Sequence, residues 1–324
     1  MVFLAALFFA FVPVFFMAMV VYWLDRYEKE PLILLGATFV WGAVIAAGGA
    51  FVINTILGIG IFSVTGSGDF ADQATLTVVA PFVEEGLKGL AVVIVFLFFR
   101  QEFDSILDGI IYAAIAALGF AGTENVLYIY GHGYLQAGWS GFWQLVVIRD
   151  VMVPWQHPFF TAFIGIGLAV ARLNRNVLVK IVALPIGYAC AVLAHSLHNS
   201  LAAFMGGVEG LALGTLLDWT SWFVMAVFVL FMIGRERAVM KEQLGEEVTS
   251  GLISPAQYQR AVSPFTMSTA FLSGGISAAR FYQACGELAH KKEQLQRVGE
   301  ESGNSAIIQT LRDQLVSLRP LVKA

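Results

Sequence analysis

The sequence predicts an all-α protein that crosses a membrane many times and ends in a short-helical soluble tail. Three observations predict it. First, hydrophobic residues make up 58% of the 324 residues and charged residues only 13%, and the mean hydropathy is +0.76. No soluble core of that size hides so much apolar surface, so lipid must be the solvent for most of the chain. Second, the apolar residues fall into seven runs of about spanning length: 2–24, 32–62, 75–99, 106–130, 155–172, 178–204 and 211–234. Third, the charges segregate. Residues 1–234 carry 8 Lys+Arg and 14 Asp+Glu, whereas residues 235–324 carry 11 and 9. The chain therefore divides into a transmembrane domain, 1–234, and a tail, 235–324, whose role the sequence does not give.

Each element has its own reasons. The first run lacks a basic leader and a small-x-small cleavage site, so it reads as a retained helix. The second is longer than a straight span needs and is expected to tilt or break near Gly48-Gly49. Residues 139–153, "WSGFWQLVVIRDVMV", are too short and too charged for a further span and read as an interfacial or re-entrant piece. In the tail, Ser254-Pro255 is a helix start, with Ser as cap and Pro in the first turn. Residues 281–298 and 306–318 have helical periodicity. Cys190 lies in an apolar run and Cys285 in the tail, so neither a disulfide nor a cysteine metal site is expected.

The loops set an orientation. Arg26 and Lys29, Arg100, Arg172 with Arg175 and Lys180, and Arg235 with Arg237 and Lys241 gather in alternate connections. Loops 63–74, 131–138 and 205–210 have no Lys or Arg. The positive-inside rule then puts the N-terminus outside and the C-terminus in the cytoplasm. Arg149 is the one basic residue on the wrong side.

Polar residues at membrane depth carry the functional signal. "VEEGLKGL" (83–90) places Glu84, Glu85 and Lys88 inside the third run. A charge at the centre of a spanning helix costs at least about 2.5–3.5 kcal/mol on insertion scales. Glu84 and Lys88 are i,i+4 and Glu85 and Lys88 i,i+3, so either glutamate can pair with the lysine and one is left over. A leftover buried carboxylate needs another cation, a metal or a proton. The fourth run holds Glu124 and Asn125, the fifth opens at His157, and the sixth holds His195, His198 and Asn199. In the orientation above, Glu84, Glu124, His157 and His195 all lie in the outer half of their segments. Each motif alone has a plainer reading: a packing ion pair, an interhelical hydrogen bond, an interface histidine. One layer of acids and imidazoles on four helices is what favours a functional site.

These residues resemble a family. "EEGLK" fits EExxK, "FAGTEN" (Phe120 to Asn125) fits FxxxEN, His157 precedes an apolar span, and "HSLHN" fits HxxxN. "DRYEKEP" and "FDSILDGIIYAAIAALGF" are also similar. The chain thus resembles the PrsW-type intramembrane proteases, relatives of the CAAX prenyl endopeptidases, over roughly residues 20–204. The resemblance implies a polytopic endopeptidase that cleaves a membrane-anchored protein, an anti-sigma factor or similar regulator. It implies Glu84, Glu85, Glu124, His157 and His195 as site residues, supported by Lys88, Asn125 and Asn199. The expected partners are that substrate and the lipid bilayer, with no nucleic acid.

Two mechanisms fit. In one, Glu124, His157 and His195, with or without one of the paired glutamates, bind Zn²⁺, which lowers the pKa of a water to about 7, and a glutamate takes the proton. In the other, Glu84 or Glu85 activates water directly while His195 and Asn199 donate to the oxyanion. Two rival classes remain: a transporter or channel using buried Glu, Lys and His, and a catalytically silent sensor or scaffold acting through the tail.

Overall fold

The structure, a computed structural model, describes residues 1–205, 207–300 and 303–322. Residue 206, in the predicted 205–210 loop, lies outside the described residues. The elements in chain order are α1 (Val2–Leu24), α2 (Leu32–Val40), a π-helical stretch (Trp41–Ala46), α3 (Ala47–Thr65), α4 (Gly68–Ala74), a π turn (Thr75–Val79) and α5 (Ala80–Phe98). Then follow α6 (Ile106–Val126), a second π-helical stretch (Leu127–Tyr134), α7 (Leu135–Val147), a further π turn (Ile148–Met152), α8 (Gln156–Arg172) and α9 (Val177–Met205). The chain ends in α10 (Gly207–Thr249), α11 (Pro255–Ala261), α12 (Thr266–Val298) and α13 (Asn304–Leu318). No strand occurs among the described residues.

Among the described residues, five helical stretches are long and apolar enough to cross a membrane: Val2–Leu24, Leu32–Thr65, Ile106–Arg172, Val177–Leu201 and Ala212–Thr249. The protein is therefore a helical membrane protein. The third stretch contains two of the predicted segments. The helix bearing Glu84, Glu85 and Lys88 is not among the five, because it carries three charged residues within one spanning length.

α6 is the central helix. Every residue from Leu107 to Gly122 is buried, and α1, α2, α5 and α8 pack around it. Its small residues make this possible, since lipid offers no hydrophobic drive and close backbone approach must supply the contact. A Cβ on Gly109 would sit 2.3 Å from the Gly165 carbonyl oxygen of α8, and one on Gly119 would sit 2.1 Å from that of Phe39. Asp108 and Ser105 form a capping box at the start of α6.

Several boundaries differ from the sequence expectation. There is no break at Gly48-Gly49, which lie within α3. The irregularity is the π-helical stretch before them, where Gly42 lies against α6 and a Cβ would meet the Ala116 carbonyl oxygen at 1.9 Å. Residues 139–153 form most of α7 and the turn after it, with Phe142 and Val146 packed beside Ala6 and Ala10 of α1. α10 runs without interruption through residues 234–235. α12 begins at Thr266, well before 281, and breaks at Gly274 and Gly275, the latter with φ of 64°. Ser254 caps α11 with Pro255 in its first turn, as expected, and Gln257 completes a capping box.

The C-terminal helices form a compact unit around Met240, Leu244, Phe281, Tyr282, Leu288 and Leu315. This unit is docked on the loops at one end of the bundle. Lys29 N donates to Gln283 Oε1 at 2.9 Å, and Arg175 donates to the Gln296 carbonyl at 3.0 Å. Lys291 donates to Asp104 at 2.8 Å and to the Gln101 carbonyl. His290 Nδ1 lies 2.6 Å from Glu28 Oε2 and 3.5 Å from Asp104 Oδ1. Loops 25–31, 99–105 and 173–176 therefore all face the C-terminal unit.

This junction is charged and buried, so it depends on pH. Burial works against protonated His290, but its bond to Glu28 and the charge of Asp104 outweigh burial and hold its pKa well above the ordinary range. Lys291 is likewise raised by Asp104 against burial. A raised imidazole stabilises docking fully below its free pKa of about 6.5, and that contribution is lost as pH rises through the docked value. Amides of residues 281–298 should therefore exchange more slowly near neutral pH than in the alkaline range, once intrinsic rates are removed. Hydrogen exchange by mass spectrometry measures this, and His290→Gln should abolish the histidine-dependent part of the difference.

Candidate active site

The layer of polar residues comes together at the end of the bundle away from the C-terminal unit. α5 brings Glu84, Glu85 and Lys88, α6 brings Glu124 and Asn125, the first turn of α8 brings His157, and α9 brings His195. Glu84, Glu85, Lys88, Asn125, His157 and His195 are buried. Glu124 is partly open, with its side chain 18% exposed.

Glu85 is the fully occupied carboxylate. Its Oε1 accepts from Lys88 Nζ at 2.5 Å and lies 2.9 Å from His195 Nδ1. Its Oε2 accepts from Thr161 Oγ1 at 2.7 Å. The spacing left open which glutamate pairs with Lys88; the structure pairs Glu85, because Thr161 and His195 meet the same carboxylate. With Nδ1 donating to Glu85, His195 presents an unprotonated Nε2, and that nitrogen lies 3.9 Å from Glu84 Oε2.

Lys88 reaches across the bundle. Its ammonium lies 3.2 Å from His157 Nδ1 and 4.4 Å from the centre of the Phe120 ring. An ammonium only donates, so Nδ1 accepts and His157 Nε2 carries the proton toward Glu124 Oε2, 2.9 Å away. Arg149 also donates to that oxygen and, through Nε, to Asn125 Oδ1 at 2.7 Å. Asn125 in turn donates to Asp150 at 3.1 Å.

Glu84 is the leftover carboxylate. Its Oε1 accepts one long bond, 3.4 Å, from Asn54 of α3. Its Oε2 is buried without a hydrogen-bond partner among the described residues. An uncompensated carboxylate oxygen in that setting is costly and calls for a proton or a cation. Donor atoms of Glu84, His157 and His195 lie within 4.8 Å of one another. One carboxylate and two imidazoles is a three-ligand set suited to a catalytic zinc with an open position. Glu84 Oε2 and His195 Nε2 fit it as they stand. His157 fits once its Nε2 proton moves to Nδ1, which requires Lys88 to turn toward Glu85 alone.

The predicted residues thus converge, with Asn199 at the margin: its amide is occupied in donating to the Leu76 carbonyl at 2.9 Å. His198, outside the predicted set, pairs with Asp218 of α10 at 3.0 Å. The additional residues are Asn54, Arg149, Asp150 and Thr161. Arg149 had a signal, as the lone basic residue against the charge pattern; the uncharged Asn54 and Thr161 had none.

Glu84, Glu124, His157 and His195 line one cavity of about 920 Å³, which continues past Asn54 and Thr75 to exposed Phe62, Gly68 and Asp72. Its size falls in the usual range of ligand pockets. A buried acid–imidazole layer beside a cavity that reaches the surface can hold a water and a peptide carbonyl together.

Comparison with known proteins agrees. Residues 30–234 match the model of the PrsW family intramembrane metalloprotease. A Protease PrsW of Clostridioides difficile (strain 630) is 37% identical over 107 residues, covering 33% of this chain and 42% of that protein. One of Geobacillus kaustophilus (strain HTA426) is 29% identical over 141 residues, covering 44% and 55%. One of Bacillus subtilis (strain 168) is 28% identical over 152 residues, covering 47% and 62%. The chain thus spans about half the length of these curated relatives, and no solved structure matches it. With its motifs, its helical membrane fold and a family match over most of its length, the chain belongs to the PrsW family of intramembrane metalloproteases.

Proposed function

We propose that this chain is an endopeptidase that hydrolyses a peptide bond of a membrane-anchored protein, an anti-sigma factor or similar regulator. The observation that carries the reading is the convergence of Glu84, Glu124, His157 and His195 on one cavity. Glu84, His157 and His195 would hold Zn²⁺, which supplies a Lewis acid and lowers the pKa of water to about 7. Glu124 is the base, because it is the most open of the three carboxylates and Arg149 orients it through one oxygen. Glu85 is a positioning residue, since both of its oxygens are filled and it fixes the His195 tautomer. A metal-free variant, with Glu84 as the base, draws support from Lys88 on His157 Nδ1. Membrane proteomes of cells carrying wild type and Glu84→Gln test the activity: a substrate fragment must appear only with wild type.

Three predictions follow from these roles. Glu84→Gln, Glu124→Gln, His157→Ala and His195→Ala should each lower kcat/KM by at least about 10²-fold while the protein still inserts. His198→Ala should be much milder. Glu85→Gln should also destabilise the protein, by about 3–5 kcal/mol, because it leaves Lys88 buried and charged without its partner. Thermal unfolding in detergent separates that loss from the loss of activity.

Active wild type should contain stoichiometric zinc by elemental analysis, and Glu84→Gln and His195→Ala should lose it. Full activity without stoichiometric metal would leave the direct-glutamate mechanism.

The cut should fall on the outer side of the membrane or in its outer third. The loops facing the C-terminal unit are the ones rich in Lys and Arg, which orients that unit to the cytoplasm, with seven passages and the N-terminus outside. The cavity reaches toward the opposite side. A substrate helix must also unwind to expose a carbonyl, and unwinding is easiest at a boundary. New termini mapped by mass spectrometry locate the cut, and a cytoplasmic cut would invert the topology or displace the site.

A further inference from the structure

The C-terminal unit keeps most of its apolar side chains inside, yet one segment does the opposite. Phe265, Phe271, Leu272 and Ile276 stand out from it, with Leu272 84% exposed. They flank the break at Gly274 and Gly275, where the helix changes direction. Phe265 and Leu272 are seven apart and share a helix face, along with polar Ser268 and Thr269.

This segment is joined to the lipid-facing surface of the bundle. Arg26 stacks on Trp23, its guanidinium 3.2 Å from the ring centre, and lies 5.8 Å from the centre of the Phe265 ring. Arg26 also donates to the Pro264 carbonyl at 3.5 Å. Trp23 ends α1, where it, Met19 and Phe16 are exposed on a helix long and apolar enough to cross a membrane. Tryptophan at a span end marks the headgroup level. The exposed apolar residues of the C-terminal unit therefore begin where the lipid-facing surface of α1 stops. Cations frame them: Arg237 donates to the Val262 carbonyl at 3.2 Å, Arg260 donates to Ser273 Oγ, and Arg280 is exposed.

We propose that residues 264–276 form a membrane-interface anchor. Phe265, Phe271, Leu272 and Ile276 insert at the headgroup–acyl boundary of the leaflet beside the C-terminal unit, and Arg260 and Arg280 face anionic headgroups, while buried Arg26 ties the segment to Trp23. Burial of an apolar face together with attraction to anionic lipid is the binding mode of interfacial helices. The anchor holds the C-terminal unit against the bilayer at its free edge, while the His290–Glu28 and Lys291–Asp104 contacts hold its centre against the loops. It is independent of any proteolytic activity.

Full-length protein in nanodiscs of phosphatidylcholine and phosphatidylglycerol tests this. Leu272→Cys in a Cys190→Ser background takes an environment-sensitive fluorophore; Cys285 is fully buried, and burial pushes its thiol pKa up. Gln314→Cys on exposed α13 is the control. The 272 probe should be blue-shifted, strongly quenched by doxyl-labelled lipid and shielded from aqueous iodide, with the reverse at 314. Loss of phosphatidylglycerol should weaken lipid quenching at 272 and leave 314 unchanged. Equal iodide quenching at the two positions would overturn the proposal. So would a 272 probe shielded from both quenchers, together with a disulfide-linked dimer formed by the unlabelled Leu272→Cys protein on oxidation, which would make the occupant a second copy.

Discussion

The buried ammonium of Lys88 is the constraint around which the membrane domain is arranged. It is fully enclosed, and a charge there is tolerated only with partners on every side. Glu85 lies one turn back on its own helix, His157 comes from α8, and the face of Phe120 comes from α6. Those three contacts fix how α5, α6 and α8 meet. Glu85 then brings in Thr161 and His195, so α9 is set by the same charge. The polar cluster is thus also the register of the helix packing, and the small residues of α6 bring the backbones close enough for it to form.

The cluster has a second half with a different character. Glu124 is held by Arg149 and His157 and remains partly open, whereas Glu84 has a buried oxygen without a partner among the described residues. Counting Lys88 and Arg149 against Glu84, Glu85, Glu124 and Asp150, and with both imidazoles neutral, two negative charges are left over. That imbalance is what a bound cation or a proton would relieve, and it sits at the cavity. A site whose structural ion pairs are complete and whose excess charge faces the open side is organised for a ligand.

Much of this was legible in the sequence, but only as types and layers. The run of charges in 83–90 marked α5, and the depth of Glu124, His157 and His195 marked the layer, because a polar residue in a spanning segment stands out against its neighbours. The pairing was not legible. Helical spacing offered Lys88 both Glu84 and Glu85, and the choice was made by Thr161 and His195 from other helices. Arg149 stood out as a charge anomaly, yet its partner Glu124 lies 25 residues earlier, beyond any local rule. The irregularity expected near Gly48-Gly49 lies instead in the π-helical stretch Trp41–Ala46, because its cause, the approach of Gly42 to α6, is tertiary. Helical periodicity marked only residues 281–298 of α12, because the bend at Gly274 and Gly275 interrupts the pattern of the residues before them.

The two charged regions also bear on what kind of protein this is. One surrounds Lys88; the other joins Glu28, Asp104, Lys291 and His290 at the C-terminal unit. Asp108 and Glu124 stand at opposite ends of α6, about 24 Å apart at 1.5 Å per residue. Between them the buried core is Ile111, Ile115, Leu118, Val92, Ile164 and Leu168. Among the described residues that layer offers no chain of ionisable groups from one region to the other. A proton or ion crossing the protein needs polar stations along its way, because each unsolvated step costs several kcal/mol. A hydrolase needs no such path. It needs water and substrate at one end, and a closed apolar layer beneath the site keeps the charges of that site from being screened or short-circuited from the other side.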